Sequence, residues 1–344
     1  MAAPRFPILF ITQSRIGDAV LSSGLVRALT EEVEGARFTV VASALTAPLF
    51  ADVPGLARLI VLEKKAGGAH WLELWRKVRG RRWGLVVDLR GSPMATVLRP
   101  RRRAVHRKAA EPAHKVIEAA RLLNLEASPP APFLYVGEAT RARAAALTAG
   151  DGPILAVGPC ANWIGKTWPA ERFVRVAREL LAEGGPLAGG RLLVAGGPDD
   201  RHAAGPLLNA APKDRVIDLV GREPLLVVYA ALARARLFIG ADSGLMHLAA
   251  SAGAPTLGLF GPSDERLYAP WGPQARVVRG PRSFEDFRRL DPRLDQAICH
   301  MMDLSVESVS RAAGALLRET EGQMPPRAPS RPSAVLAAEA RDHG

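Results

Sequence analysis

The chain has 344 residues, 48% of them hydrophobic, and 46 lysines and arginines against 34 aspartates and glutamates give a formal net charge of +12. That length exceeds what one hydrophobic core usually serves and predicts two domains of roughly 150 residues each. Two cysteines, Cys160 and Cys299, far apart and in no metal-ligand spacing, exclude a disulfide framework and a zinc site and fit a reducing compartment.

The opening run P-I-L-F-I-T predicts a strand, followed by the glycine-bearing loop Q-S-R-I-G-D and one helical pattern through Val20, Leu21, Leu25, Val26 and Leu29. The short apolar run 8–12 lacks the length and cleavage site of a signal peptide. Further strands are predicted over 37–42, 59–62 and 84–89. Strands alternating with helices imply a parallel sheet. R-K-V-R-G-R-R at 76–82 and R-P-R-R-R-A-V-H-R-K at 99–108 concentrate the positive charge in the first half. Nucleic acid, an acidic membrane surface and a phosphorylated substrate each satisfy such a patch, and so does plain solvation of a basic face. A Pro-rich stretch over 128–132, a helix over 138–147 and the loop T-A-G-D-G-P follow, which puts the domain boundary after residue 150.

From Pro153 the alternation restarts. Strands are predicted over 154–159, 191–197, 215–219, 236–240 and 255–262, with helices over 170–183, 203–210, 225–235 and 244–252 between them. A closing amphipathic helix over 304–317 ends a second domain spanning 151–318, and the Pro, Ala, Arg and Ser-rich stretch 319–344 reads as a disordered tail. Every apolar run is broken by Gly, Pro or charge, so no bilayer-spanning helix is expected.

Four loops follow strand ends, where open α/β sheets present ligands. The first carries Arg15, Gly17 and Asp18; Asp18 is either a helix cap or a base that takes a proton from an attacking hydroxyl. The second, G-P-C-A-N-W-I-G-K-T-W-P, holds Lys166, either an exposed loop lysine or a cation that neutralises a leaving diphosphate. The third lies in G-A-D-S-G-L-M-H. There the N–H groups from Ser243 to Leu245 open a helix and offer a diphosphate site, Asp242 caps the helix or orients a sugar hydroxyl, and His247 donates to phosphate or is simply packed. G-G-P-D-D at 196–200, with Gly197 and Asp199, lines a nucleotide or turns the chain.

This ordered set resembles glycosyltransferase family 9, the ADP-heptose:lipopolysaccharide heptosyltransferases. The matching pieces are R-I-G-D-A-V-L-S-S-G-L-V-R-A-L at 15–29, K-T-W-P at 166–169, L-L-V-A-G-G-P-D-D, G-A-D-S-G-L-M-H-L-A-A, L-G-L-F-G-P-S-D at 257–264 and C-H-M-M-D-L-S-V-E-S-V from Cys299. Ser243 stands where Thr is common in the family. The resemblance implies an α/β GT-B architecture, two Rossmann-like domains with parallel sheets facing across a cleft, the acceptor held by the first and the nucleotide sugar by the second. It implies an inverting heptose transfer from an ADP-sugar to an anionic lipopolysaccharide-core acceptor, with Asp18 as general base and Lys166 on donor phosphate or sugar. Asp242, Ser243, Gly244, Leu245, His247, Gly197 and Asp199 would line the donor, and Arg15, Arg101, Arg102 and Arg103 the acceptor. No cofactor or metal ion is implied. A cytoplasmic enzyme in peripheral contact with the inner face of the inner membrane is expected.

The competing readings are a GT-B transferase using a UDP- or GDP-sugar on another glycan, and a non-catalytic nucleotide-binding protein. A dinucleotide oxidoreductase is disfavoured by the missing triple-glycine fingerprint. Nucleic acid is not an expected partner, because the basic stretches hold no interleaved aromatics.

Overall fold

The computed structural model describes residues 5–107 and 111–322. It divides between Val136 and Gly137 into two units, each an α/β layer structure. The first holds β1 (Phe6–Ile11), β2 (Ala36–Ala42), β3 (Leu56–Val61), β4 (Leu85–Asp88) and β5 (Arg102–Val105), in the order β3-β2-β1-β4-β5. The second holds β6 (Ile154–Gly158), β7 (Arg191–Val194), β8 (Val216–Asp218), β9 (Leu237–Ala241), β10 (Thr256–Phe260) and β11 (Ala275–Arg279), in the order β11-β10-β9-β6-β7-β8. Every pairing in both sheets is parallel.

Parallel strands need crossover connections, and the crossing helices cover both faces of the sheet. The central strands are therefore apolar without alternation: Ile8 to Ile11 of β1 are fully buried, and β6, β9 and β10 are buried along their whole length. In each sheet the order reverses beside the first strand, between β1 and β4 and between β6 and β9. The loops that follow these four strands diverge there and leave a crevice.

β5 and β11 were not expected from the sequence. Both are edge strands, and their R-R-A-V and A-R-V-V-R sequences carry the charges with which edges avoid pairing with other chains. Those charges hide the apolar signal.

The helical pattern expected after β1 is two helices, Ile16–Leu21 and Gly24–Glu32. Ser22 and Ser23 lie between them, and their hydroxyls donate back to Asp18 O (2.9 Å) and Val20 O (2.6 Å), competing with the helical ladder. Gly24 then lets the chain pass against Pro130, whose carbonyl oxygen would stand 2.3 Å from a Cβ at this position.

The helix Glu138–Leu147, expected at the end of the first domain, belongs to the second unit, where it packs on the helix Leu225–Leu232 and Arg143 pairs with Glu223. The following turn is pinned rather than loose. Buried Arg191 at the start of β7 donates to the carbonyls of Thr148, Ala149 and Gly150 at 2.6–3.0 Å, using a guanidinium's several donors at once. The closing helix is Val306–Glu319, shifted two residues towards the C-terminus of the expected span, and Arg236 holds its end through Leu317 O (2.6 Å) and Thr320 Oγ1 (2.8 Å). The expected tail thus begins as the last residue of this helix, Glu319, and buried Thr320, and its stretch 323–344 lies outside the described residues.

The main apolar core of the second unit gathers Trp168, Phe173, Leu192, Leu257 and Val309 around β6. In the first, Leu9, Ile11, Trp83 and Val86 pack with Leu74 and Met94. Gly24→Ala should lower stability by about 2 kcal/mol, because the new methyl meets backbone that cannot turn aside. Thermal or urea unfolding checks this, and an unchanged midpoint would show that the segment around Pro130 yields freely.

Candidate functional site

Both ends of the site in the second unit start from strands that end within a residue of each other. Gly158 of β6 pairs with Gly240 of β9, and neither tolerates a side chain: a Cβ on Gly240 would stand 2.7 Å from the Phe238 ring and 2.9 Å from Gly158 O. Beyond Gly158 the chain runs through Cys160 and the short turn Ile164–Lys166 into the helix Ala170–Leu181. Beyond β9 come Asp242 and Ser243, then the helix Gly244–Ser251.

The two loops meet in an ion pair. Lys166 Nζ lies 2.6 Å from Asp242 Oδ2, with the Asp242 side chain 6% exposed and that of Lys166 27%. The loop after β10 adds a third partner, Ser263, whose hydroxyl donates to the same carboxylate oxygen at 2.6 Å. His247 Nε2 stands 3.9 Å from Asp242 Oδ1. Ser243 is the N-cap of the helix Gly244–Ser251 and its side chain makes no capping bond; its hydroxyl is buried without a partner among the described residues. The first-turn N–H groups of Gly244 and Leu245 point out of the helix end, where an anion is favoured. A cation, a hydroxyl and free backbone donors are thus assembled at one point, the equipment for a diphosphate.

This cluster is fixed from two sides. Arg279, the last residue of β11, donates to Gly261 O (2.6 Å) and Ser263 O (2.7 Å) and pairs with Glu265, so the Ser263 loop is wrapped on one guanidinium. On the other side the segment 296–304 straps the Lys166 loop. His300 N–H donates to Gly165 O, Cys299 Sγ to Thr167 O, Trp163 Nε1 to Gln296 O and Trp168 Nε1 to Leu304 O. The C-H-M-M-D sequence is therefore a brace for Lys166. Next to β6, the loop after β7 turns Asp200 inward to accept the Gly197 N–H at 2.7 Å, while Asp199 is exposed.

In the first unit the loop after β1 leads into the helix Ile16–Leu21, with Asp18 in its first turn, where the helix dipole favours a carboxylate. Exposed Arg15 is the N-cap and makes no side-chain capping bond. Across the β1/β4 reversal stands a residue without an assigned role in the sequence reading, Arg90. Its Nε donates to Thr12 O at 2.6 Å, while its Nη2 and the Thr12 hydroxyl are buried with no partner among the described residues. Asp88, fully buried, accepts from Arg90 N, Ser92 N and Ser92 Oγ, and burial pushes its carboxyl above the usual carboxylate range against those bonds. Arg90 and Ser263 both sit at strand-to-loop junctions in D-L-R-G and F-G-P-S-D. Their importance depends on which strands are neighbours, which the one-dimensional pattern does not give.

Arg101, Arg102 and Arg103 are not brought to the Asp18 loop. Arg102 is level with Leu85 and Ile8, at the entry end of the sheet, about 10 Å along the strands from where β1 ends. Among the described residues, no group of three or more His, Cys, Asp or Glu side chains could hold a metal ion, and no helix is long and apolar enough to cross a membrane.

Comparison with known proteins gives a consistent picture. The family model for glycosyltransferase family 9 (heptosyltransferase) matches residues 74–295. Lipopolysaccharide heptosyltransferase 2 of Salmonella typhimurium is 24% identical, over 83% of this chain and 91% of that protein. Among solved structures, E. coli ADP-heptose lipopolysaccharide heptosyltransferase II is 23% identical with a TM-score of 0.72, over 92% of this chain and all of that one. An E. coli heptosyltransferase solved with ADP is 17% identical with a TM-score of 0.67, over 90% and 100% of the two chains. At these identities the structural likeness speaks for the fold, two Rossmann-like α/β units of the GT-B class.

Cys160 is buried in the loop after β6, and burial, with Asp200 beside it, pushes its thiol up to about 12. It stays protonated across neutral and mildly alkaline pH. Iodoacetamide at about pH 8.5 should therefore leave Cys160 unmodified in the native protein while the denatured chain reacts at both cysteines. Peptide mass spectrometry reads the outcome, and fast native labelling of Cys160 would refute a neutral, buried thiol.

Proposed function

The chain belongs to glycosyltransferase family 9 and is a glycosyltransferase, and from that premise we propose that it moves a heptose from ADP-heptose to a lipopolysaccharide-core acceptor with inversion at the anomeric carbon. The observation that carries this reading is the Lys166–Asp242–Ser263 cluster at the reversal between β6 and β9. In open α/β sheets that is where nucleotides bind.

The donor diphosphate lies against the first-turn N–H groups of the helix Gly244–Ser251, with Ser243 Oγ and His247 as further donors and Gly197 and Asp199 along the nucleotide. Asp242 holds the Lys166 ammonium beside the diphosphate oxygens until charge develops on them. As the bond from the anomeric carbon to the diphosphate breaks, that charge meets a cation already in position, and no reorganisation is needed at that moment. The acceptor hydroxyl attacks from the opposite face and gives its proton to Asp18. No metal ion takes part in this scheme, because Lys166 and the helix terminus supply the countercharge. ADP as the nucleotide follows the E. coli relative solved with it.

On the acceptor side, Arg15 and Arg90 suit phosphate or carboxylate groups of a lipopolysaccharide core, since a guanidinium donates charge-assisted hydrogen bonds to such groups. Thr12 Oγ1 offers a hydroxyl partner beside Arg90. Such an acceptor is anchored in lipid, and the enzyme then works at the cytoplasmic face of the membrane that holds it.

Purified protein assayed with ADP-heptose and a deacylated core acceptor tests this reading. Asp18→Asn should bind the donor as wild type does and lose roughly 10² or more in kcat. Lys166→Met should lower kcat/KM by about 10²–10³. Binding of UDP- or GDP-sugars in place of ADP-heptose would overturn the donor, and an Asp18→Asn enzyme with full turnover would remove Asp18 from the base role.

A further inference from the structure

Behind the strap that braces the Lys166 turn lies a second buried acid, to which the transfer scheme gives no task. Asp291 is the C-cap of the helix Phe284–Leu290 and is 3% exposed. Its Oδ1 accepts the Leu294 N–H at 3.0 Å and its Oδ2 the Gln296 N–H at 3.2 Å. The turn so closed keeps Leu294 at φ 51°, a left-handed conformation that a side chain adopts only where its surroundings impose it. The same Oδ2 stands 4.0 Å from His300 Nε2, beyond hydrogen-bond reach. His300 is 4% exposed, and its Nε2 has no hydrogen-bond partner among the described residues.

Both residues lead to Lys166. From Asp291 the turn passes to Gln296, whose carbonyl accepts the Trp163 Nε1–H, and Trp163 O accepts the Lys166 N–H at 3.1 Å. From His300 the backbone N–H goes to Gly165 O, and the ring touches those of Trp163 (centroids 5.6 Å apart) and Phe287 (5.5 Å). The Trp163 ring in turn folds over Gly165, where a Cβ would stand 2.4 Å from it. The titratable groups around the imidazole are otherwise engaged. Arg282 donates to His300 O and pairs with Asp303. The helix Phe284–Leu290 turns Phe287 inward, while its Glu285 and Asp286 pair with Arg266 and Arg289. Cys299 gives its thiol to Thr167 O, and Lys166 is committed to Asp242. Burial, helped by the Arg282 charge, holds the imidazole below its usual pKa against the pull of Asp291 and Asp303.

From this we infer that Asp291 and His300 are positioning residues for Lys166, and that the neutral imidazole is the form that keeps the ammonium in place. A proton on His300 turns the 4.0 Å gap into a buried ion pair, and Nε2 closes on Asp291 by roughly 1 Å to make a charge-assisted hydrogen bond. That movement draws the strap away from Trp163 and Gly165 and loosens the turn that presents Lys166. Transfer is therefore sensitive to acid through a pair that touches neither substrate. The inference rests on the reading of Lys166 as the cation at the donor diphosphate and adds what holds it there.

Trace acylation of lysines in the full chain, read by peptide mass spectrometry, follows the Lys166–Asp242 pair without any substrate. Exposed Lys64 and Lys77 of the first unit serve as internal references. At pH 8, His300→Ala should raise Lys166 labelling relative to them about fivefold or more, because an ammonium released from its carboxylate gives up its proton more readily. Asp291→Asn should do the same, since its amide has one acceptor for two N–H groups. His300→Phe keeps a ring against Trp163 and Phe287 and should stay within about twofold of wild type. On lowering the pH to about 5.5 the ratio should rise in wild type and stay flat in His300→Phe, which takes no proton. In the transfer assay His300→Ala should lower kcat about tenfold with donor KM changed less than about threefold. Wild-type kcat should fall about tenfold per pH unit on the acid side, and His300→Phe should move that limb to lower pH. Equal Lys166 labelling in wild type and His300→Ala overturns the inference, as does an acid-induced rise that survives in His300→Phe. The expected labelling in a protein that transfers no heptose supports the positioning and counts against the donor reading alone.

Discussion

A carboxylate with 6% of its side chain exposed cannot remain charged without partners, and Asp242 has two on one oxygen, Lys166 and Ser263. Removing one partner of such a buried pair typically costs roughly 3–5 kcal/mol, because the other charge is left without compensation. Much of the second unit serves this one contact. β6 and β9 end within a residue of each other, their paired glycines Gly158 and Gly240 leave no side chain between them, Arg279 wraps the Ser263 loop, and the 296–304 strap holds the Lys166 turn by four hydrogen bonds. The ammonium is fixed before any ligand arrives, and that is the condition for electrostatic help in a transfer reaction.

The first unit solves a related problem with different parts. Its buried acid, Asp88, is satisfied by backbone and by Ser92, not by a cation. The charge of Arg90 is then left facing the β1/β4 crevice, with one nitrogen unspent and the Thr12 hydroxyl beside it. Asp18 enters the same end of the sheet from a helix of six residues, cut short by two serines that turn their hydroxyls back on the preceding turn. That cut permits the second helix to meet the Pro130 segment through Gly24. The loop geometry around Asp18 thus depends on residues downstream of it as much as on its own strand.

Charge is distributed along this sheet by length scale. At the carboxyl ends of β1 and β4 single groups are placed by hydrogen bonds, as Arg90 is by Thr12 O. At the entry ends seven arginines, from the stretches 76–82 and 99–101 and from Arg5, share one open cavity and are held by little beyond two ring contacts. The first arrangement suits recognition of one group at a defined distance, the second a diffuse field spread over an open surface.

The sequence by itself determined the class of fold and which loops follow the central strands. The central strands of parallel sheets are buried on both faces, so they are written as unbroken apolar runs, and loops with Asp18, Lys166 and Asp242 follow them visibly. Edge strands β5 and β11 escaped because arginines break their apolar runs, and the helix Glu138–Leu147 reads as part of the first domain although its contacts are with the second unit, because periodicity records that a helix exists, not which partner covers it. Tertiary structure alone decided that Ser263 and Lys166 share one oxygen of Asp242, that Arg90 stands across from the β1 loop, and that two basic runs form one cavity while Arg102 and Arg103 stay on an edge strand. Each of these depends on strand order, and strand order is set by how crossover helices pack rather than by any local run of residues.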